Sequence, residues 1–221
     1  MKKTPKASTE NQPVFLKTDD MNDLISYLLQ NPDFIEVGRF PGIALDLRYG
    51  STNNFMGKNV YNDFNRAFLH KVAAQKLWKA VEGLKKIKPS WKLLLLDCLR
   101  PARAHQELWD FVEGTPQEPY VANPDRGSLH SFGFAVDLTI VDENNCEIDM
   151  GTGFDSFEDL AQPRYELEML EKGLLTKQQH ENRLILRNIM ETSGFFQLSF
   201  EWWHYDADRG ENVRNNYDII S

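Results

Sequence analysis

The sequence predicts a single α+β domain in which a mainly antiparallel central sheet is flanked by helices. At 221 residues the chain fits one domain and can bury a substantial core. Strand-like apolar runs and segments with helical periodicity occur in the same chain. No internal repeat, low-complexity tract or domain boundary interrupts it. Residues 1–13 are expected to form a flexible tail, which leaves residues 14–221 for the domain.

Hydrophobic patterns predict the elements before residue 128. The long segment that ends at Ile87 carries apolar residues on or near one stripe, as an amphipathic helix does. The apolar run that begins at Leu93 is typical of a buried strand. In order, the predicted elements are a helix over Met21–Gln30, a strand over Ile43–Tyr49, a helix over Arg66–Ile87, a strand over Trp91–Leu99, a helix over Ala102–Val112 and a proline-rich loop over Gly114–Gly127.

The later elements are predicted in the same way. Thr176 and Gln179 have the spacing of a capping box, which indicates that a long helix begins there. A glycine commonly ends a helix, and Gly194 is the expected end of this one. The other predicted elements are a strand over Gly133–Val141, a helix over Ser156–Glu171 and a strand-like segment over Glu201–Asp206.

The strand that begins at Gly133 carries an aspartate between small residues. Side chains alternate between the faces of a strand, so Gly133, Ala135 and Asp137 would share one face while their bulky neighbours face the core. This pattern leaves room beside the carboxylate for a metal and a substrate. His130 lies just before the strand, and Gly133 permits the turn that would bring its ring towards Asp137. An ordinary strand with a surface aspartate is the structural alternative.

The segment Glu201-Trp-Trp-His204 supplies a second histidine and a spare carboxylate. Regular alternation would put Glu201 and His204 on opposite faces, so we expect the backbone to bulge or bend between them. Catalytic zinc usually takes three nitrogen or oxygen ligands and keeps a fourth position for water. The sequence therefore predicts zinc on His130, Asp137 and His204, with Glu201 left to move protons. A short aromatic strand with a core histidine is the alternative.

Arg100 follows the predicted strand over Trp91–Leu99, at the point where a loop begins. A guanidinium there would stabilise the oxyanion that forms when water adds to an amide, and Asp97 would orient nearby donors. A purely structural ion pair between Arg100 and Asp97 is the alternative interpretation.

Composition limits the partners of the protein. Acidic residues outnumber basic ones, 33 to 25, which gives a net charge of −8 and argues against nucleic acid or an anionic membrane as the main partner. Two cysteines, Cys98 and Cys146, do not form a disulfide framework or a paired metal motif. The opening residues lack the apolar segment of a secretory signal, and no later stretch is long enough to span a membrane. These features predict a cytoplasmic protein.

From about Asp46 to Asp206 the sequence resembles the zinc-dependent D-alanyl-D-alanine dipeptidases, which include the vancomycin-resistance dipeptidases. The histidine–aspartate and Glu-x-x-His elements also occur in other D,D-peptidases and related zinc domains, so they indicate the site but not the substrate. The motifs that carry the resemblance are Asp46-Leu-Arg-Tyr49 with Asn54-Phe55, Asp97-x-x-Arg100-Pro101, Ser128-x-His130-x-x-Gly133-x-Ala135-x-Asp137-Leu-Thr, Met150-Gly-Thr-Gly-Phe-Asp155, Arg187-x-x-Met190-x-x-Ser193-Gly194-Phe195 and Glu201-Trp-Trp-His-Tyr205.

The resemblance implies a D,D-peptidase or hedgehog-like fold, one Zn²⁺ per chain and a small D,D-dipeptide as substrate. It implies that Glu201 acts as base and then acid, and that Arg100 stabilises the tetrahedral intermediate. The sequence does not specify an oligomeric state. The predicted substrate-binding residues are Ser128 and Asp155, which would hold the free ammonium, together with Tyr49 in the pocket and Asp97.

Three other functions fit parts of the pattern. A D,D-carboxypeptidase or other peptidoglycan peptidase shares the zinc site but should lack the ammonium anchor and have an open groove. A non-haem iron oxygenase also uses two histidines and a carboxylate, although it has no need of Glu201. A zinc-binding interaction module would need neither Glu201 nor Arg100 for catalysis.

Overall fold

The structure, a computed structural model, describes residues 21–221, and the tail predicted for residues 1–13 lies outside the described residues. The helices in the described part are α1 (Met21–Gln30), α2 (Lys71–Ile87), α3 (Ala102–Val112), α4 (Glu166–Glu171), α5 (Lys177–Thr192) and α6 (Gly210–Asn216). The strands are β1 (Phe34–Glu36), β2 (Ile43–Leu45), β3 (Phe68–His70), β4 (Lys92–Asp97), β5 (Ala135–Val141), β6 (Phe196–Gln197) and β7 (His204–Asp206).

Five strands form a central sheet in the order β2-β4-β5-β7-β6, and β1 pairs with β3 in a small antiparallel ribbon. Three pairings of the central sheet are antiparallel, which confirms the predicted α+β class. Strands β2 and β4 are parallel, so the sheet is mixed. The parallel pairing follows from the connection between them, because the chain passes through β3 and α2 and can return to the same end of the sheet.

Strand β5 lies in the middle of the sheet, and all seven of its residues are buried. Its Asp137 is paired with Asp97, the last residue of β4, and with His204, the first residue of β7. Both faces of β5 are covered by other parts of the protein. The space predicted beside Asp137 for a metal and a substrate is therefore limited to the end of the sheet where β4 ends. The topology therefore brings three of the predicted site residues together where β4 ends and β7 begins.

Helices α1 and α3 have the predicted bounds, but α2 begins at Lys71 rather than at residue 66. Residues Phe68–His70 form β3 instead, and each of them is buried. Pairing with β1 outweighs the helical periodicity there, and the His70 ring then accepts a hydrogen bond from the backbone of Val72 as an N-cap. The capping box predicted at Thr176 and Gln179 is present, and α5 follows it.

Several predicted elements are shorter in the structure. The strand expected over Ile43–Tyr49 ends at Leu45, and a 3₁₀ turn over Arg48–Gly50 follows. The helix expected over Ser156–Glu171 exists only as α4, because Pro163 has no N–H to donate and restricts the residue before it.

Apolar side chains from both sides of the sheet form the core. The largest cluster joins α2 and α5 to β4 and β5, and a second cluster joins α1 and α3 to the loop that follows β2. Within residues 21–221 no helix is long and apolar enough to cross a membrane.

Candidate active site

Three side-chain atoms from His130, Asp137 and His204 converge at the end of β5. The distances are 3.3 Å from His130 Nε2 to Asp137 Oδ1, 2.9 Å from Asp137 Oδ1 to His204 Nδ1, and 3.2 Å between the two nitrogens. Ligands about 2.0–2.1 Å from a tetrahedral zinc ion lie roughly 3.3 Å from each other. The donor set and its spacing therefore fit a metal ion, as the sequence led us to expect.

A 3₁₀ turn over Leu129–Phe132 carries His130, and Gly133 ends this turn with a φ of +72°. A side-chain carbon at position 133 would lie 2.9 Å from the backbone nitrogen of His70. Glycine is required there for two reasons, because the backbone is left-handed and the space is filled. The turn back towards Asp137 that was predicted for Gly133 is present.

Hydrogen bonds on their far sides orient both histidine rings. His130 Nδ1–H donates to the Cys98 carbonyl oxygen at 2.7 Å, and His204 Nε2–H donates to Asp206 Oδ1 at 2.9 Å. These bonds leave the lone pairs of the facing nitrogens available for a metal, which is the usual arrangement around histidine ligands. Asp206 was missed in the sequence, although it lies two residues after His204 and so on the same face of β7.

Glu201 lies in the turn before β7, so the strand predicted over Glu201–Asp206 begins only at His204. The expected bend is this turn, and it brings Glu201 Oε2 to 3.8 Å from His204 Nδ1. Burial raises the pKa of Glu201 to about 7, the charge of His204 opposes the shift and that of Asp137 adds to it. Burial also disfavours the charged form of Asp137, but the neighbouring histidines outweigh it and lower its pKa.

The ion pair between Arg100 and Asp97 is present, and Arg100 also lines the cavity next to the metal ligands. Its Nε and Nη2 donate to Asp97 Oδ2 at 2.8 and 2.6 Å, while Nη2 lies 3.8 Å from Asp137 Oδ2. The other Asp97 oxygen accepts from the backbone of Cys98 and from Tyr61. Asp97 is fully buried and is not among the residues that line the cavity, so its role in substrate binding stays a prediction. Its hydrogen bonds orient Arg100.

His105 is a buried cavity residue that the sequence reasoning missed. Its Nε2–H donates to the Ala122 carbonyl oxygen at 2.8 Å, and its Nδ1 lies 3.4 Å from Arg100 Nη1. Burial and the charge of Arg100 lower the pKa of His105 to about 3. The ring is therefore neutral and accepts a hydrogen bond from Arg100. The available signal was a histidine five residues after Arg100, in the helix that follows it.

Asp155 is half-buried in the wall of the same cavity and has a left-handed backbone with a φ of +60°. Tyr49 donates its hydroxyl hydrogen to Oδ1 at 3.0 Å, and the backbone of Phe55 donates to Oδ2 at 3.3 Å. Burial and the charge of Asp137 raise the pKa of Asp155 well above its usual value. Within the described residues no basic side chain lies within 4.0 Å of it. Ser128 lines this cavity too, so all the predicted site residues except Asp97 meet there.

The cavity has a volume of about 450 Å³, which lies in the range of small-molecule sites. Aromatic side chains form much of its wall, and Phe157 packs edge-on against both Phe55 and Tyr120 at 5.4 and 5.1 Å. Charged and polar side chains are at least as prominent in the lining, and besides the metal ligands they include Arg100, Asp155, Arg126, Glu211 and Arg214. The cavity is thus a polar chamber with aromatic side chains in its wall.

Two histidines and a carboxylate with a second carboxylate beside them are the side chains typical of metal-dependent hydrolases. A family model described as D-ala-D-ala dipeptidase, of the Peptidase_M15 group, matches residues 33–219. The chain belongs to this family, which confirms the resemblance predicted from the motifs.

Individual relatives agree with the family. A D-alanyl-D-alanine dipeptidase of Escherichia coli (strain K12) is 33% identical over 172 residues, covering 76% of this chain and 80% of the relative. An enzyme of the same name from Enterococcus faecium is 31% identical over 193 residues, covering 80% and 91%. One from Enterococcus faecalis is 30% identical over 181 residues, covering 74% and 85%. These relatives support a peptidase.

Proposed function

We propose that the protein hydrolyses D-alanyl-D-alanine and similar D,D-dipeptides with a zinc ion held by His130, Asp137 and His204. One observation carries the proposal. The half-buried carboxyl group of Asp155, which has no cationic partner among residues 21–221, shares a cavity of about 450 Å³ with the three convergent ligand atoms. Membership of the D-ala-D-ala dipeptidase family supports the same substrate.

The fit of the ligand set supports one zinc ion per chain. Two imidazole nitrogens and one carboxylate oxygen suit zinc, and both rings have the outer hydrogen bonds that ligands need. When bound, zinc lowers the pKa of a coordinated water from about 15.7 to about 7 and polarises the scissile carbonyl. Its charge would also lower the pKa of Glu201, which keeps that carboxylate ionised at neutral pH.

Glu201 and Arg100 are assigned the remaining chemistry. Glu201 takes a proton from the attacking water and delivers it to the nitrogen of the leaving amine, so the same carboxylate serves as base and then as acid. Arg100 donates to the carbonyl oxygen as negative charge develops there. Asp97 and His105 hold the guanidinium in place, so little reorganisation is needed during the reaction.

Asp155 is assigned to the free ammonium of the substrate. A cation beside this carboxylate would offset the cost of burying it, and Tyr49 already fixes one of its oxygens. Ser128 would accept a further hydrogen bond from the ammonium. An ammonium anchor requires the substrate to end at that point, which favours a dipeptide over the interior of a longer peptide.

The same observations weigh against the other functions. A carboxypeptidase has no use for a buried ammonium anchor, because its substrate continues past that position. An iron oxygenase has no use for Glu201, and an interaction module has no use for an oriented Arg100. A cytoplasmic location stays a prediction from the sequence.

The test is a substrate panel measured with zinc-loaded and chelated protein. We expect hydrolysis of D-Ala-D-Ala that is lost with a chelator and restored by zinc, and much slower hydrolysis of L-Ala-L-Ala and of pentapeptide precursors. Oxygen-dependent turnover with iron, or preference for the pentapeptide, would overturn the proposal. His130→Ala, Asp137→Ala and His204→Ala should each lose the bound zinc.

A further inference from the structure

Two arginines that take no part in the chemistry described above, Arg126 and Arg214, line the cavity. Within residues 21–221 neither guanidinium lies within 4.0 Å of an aspartate or glutamate carboxylate. Arg126 and Glu211, which lines the cavity too, are both exposed, so water screens their charges. Arg214 is half-buried, so its charge is screened less, and it presents a cationic group to whatever occupies the cavity.

Arg214 is held firmly, although none of the aspartates and glutamates in residues 21–221 pairs with it. Its Nε donates to the carbonyl oxygens of Arg126 and Gly127 at 2.9 and 3.2 Å, and its Nη2 donates to Gly127 at 3.0 Å. Its Nη1 forms no hydrogen bond among the described residues. A side-chain carbon at position 210 would overlap Nη1, so Gly210 leaves the space that this nitrogen occupies. The guanidinium is fixed with one end free to bind.

Arg214 and Asp155 are held by different segments of the cavity wall. Arg214 donates to the carbonyl oxygens of Arg126 and Gly127, whereas Asp155 accepts from the Tyr49 hydroxyl and the backbone of Phe55. The cavity thus holds an anionic group and a cationic group on separate parts of its lining.

We propose that Arg214, assisted by Arg126, binds the C-terminal carboxylate of the dipeptide. The inference rests on the proposed function, because a dipeptide carries an ammonium at one end and a carboxylate at the other. A planar guanidinium with free N–H groups suits a carboxylate better than any other side chain does. Recognition of both charged ends would confine the substrate to two residues, since a longer peptide could not satisfy both at once.

The experiment compares D-Ala-D-Ala with its C-terminal amide, which has the same shape but no negative charge. The wild-type protein should prefer the free carboxylate by about 10- to 100-fold in kcat/KM, the range expected for one charge-assisted hydrogen bond. Arg214→Gln should reduce this preference to near unity, mainly by raising KM for the free dipeptide. Gly210→Ala should do the same, because the added methyl group displaces Nη1 while the charge remains.

The control is Arg209→Gln, which removes an exposed arginine outside the cavity and should leave the preference unchanged. Thermal unfolding of each variant identifies any loss of fold, and Gly210→Ala introduces a good helix former. Calorimetric titration of Glu201→Gln with the two ligands measures the preference without turnover. Absence of dipeptide hydrolysis would overturn the proposed function. Equal affinity for D-Ala-D-Ala and its amide would overturn the carboxylate subsite, and so would an unchanged preference in both Arg214→Gln and Gly210→Ala.

Discussion

At the scale of single residues, the site depends on how burial tunes a few charged groups. Glu201 has its pKa raised to about 7 because burial disfavours the carboxylate. The zinc ion that the site would hold lowers this pKa, so the carboxylate is ionised at neutral pH and can accept a proton from water, as the proposed reaction requires. Arg100 is the counterpart, a permanent cation held by Asp97 and His105 on the opposite edges of its guanidinium.

The Glu201→Gln variant separates chemistry from metal binding. It keeps the shape of the side chain but cannot take a proton, so we expect zinc content and melting temperature near those of the wild type. Turnover of D-Ala-D-Ala should fall by about 100-fold or more, the usual contribution of general acid–base catalysis. The matched control is Glu181→Gln, an exposed position on α5. Near-normal turnover in zinc-loaded Glu201→Gln would mean that another group is the base.

The His105→Ala variant tests whether His105 positions Arg100. Loss of the Nδ1 acceptor should lower kcat by about 10- to 100-fold, as expected when a hydrogen bond to a charged group is lost. KM and zinc content should change little, because His105 contacts neither the ammonium anchor nor the metal ligands. His105→Asn offers a carbonyl oxygen close to the position of Nδ1 and should recover part of the rate. Equal losses in both variants, or a loss confined to KM, would argue against a positioning role.

At the scale of elements, two short turns do more for the site than the regular strands. The turn that ends at Gly133 carries His130, and the turn before β7 carries Glu201. Strands β5 and β7 supply Asp137 and His204 in register. The strands set the spacing of Asp137 and His204. The turns bring His130 and Glu201 to the same site, which a regular strand could not do.

The Gly133→Ala variant measures the importance of the first turn. An added methyl group would meet the backbone of His70 in a left-handed conformation, so we expect a large loss of stability and of zinc binding. Gly114→Ala is the control, because its φ of +74° is similar but nothing lies within 4 Å of the added carbon. The control should lose only about 1–2 kcal/mol, the cost of the backbone conformation. Similar losses in denaturant unfolding of the two variants would show that packing at Gly133 is unimportant.

Features that depend on local sequence could be predicted, whereas features that depend on tertiary contacts could not. Helices α1 and α3, the capping box of α5 and the ligands of the candidate metal site follow from local patterns that the fold retains. Strand β3 could not be found, because Phe68 continues a helical stripe and only its pairing with β1 makes it extended. His105 and Arg214 were missed for a related reason. Their partners are backbone carbonyls and an arginine brought near by the tertiary fold, and no motif marks them.

At the scale of the whole molecule, the cavity contains charged groups that have no nearby partner of opposite charge among the described residues. Among residues 21–221, no cation lies within 4.0 Å of the half-buried Asp155 carboxyl group, and no aspartate or glutamate lies within 4.0 Å of the Arg214 guanidinium. Such groups cost folding free energy, and binding of a complementary ligand offsets that cost. The two proposals together therefore assign a zwitterionic ligand to this cavity.

The stability of the protein should therefore depend on pH through Asp155. Its folded pKa lies above the ordinary value of 3.8, so the folded state holds the proton more tightly than the unfolded chain does. The stabilising contribution is complete below pH 3.8 and is lost as the pH rises through the folded pKa. Asp155→Asn cannot ionise, so its melting temperature should rise relative to the wild type between pH 4 and pH 8. A constant difference, or the same trend in the exposed control Asp63→Asn, would contradict this account.

The most direct test of the central claim is the rate on D-Ala-D-Ala compared with that on its N-acetyl derivative. Acetylation removes the ammonium that Asp155 is proposed to bind. Breaking a buried charge pair on one side costs roughly 3–5 kcal/mol, so the free dipeptide should be preferred by more than about 100-fold in kcat/KM. Asp155→Asn should narrow this preference while zinc content stays the same. Equal rates on the two substrates with the wild-type protein would contradict the dipeptidase assignment and favour a carboxypeptidase.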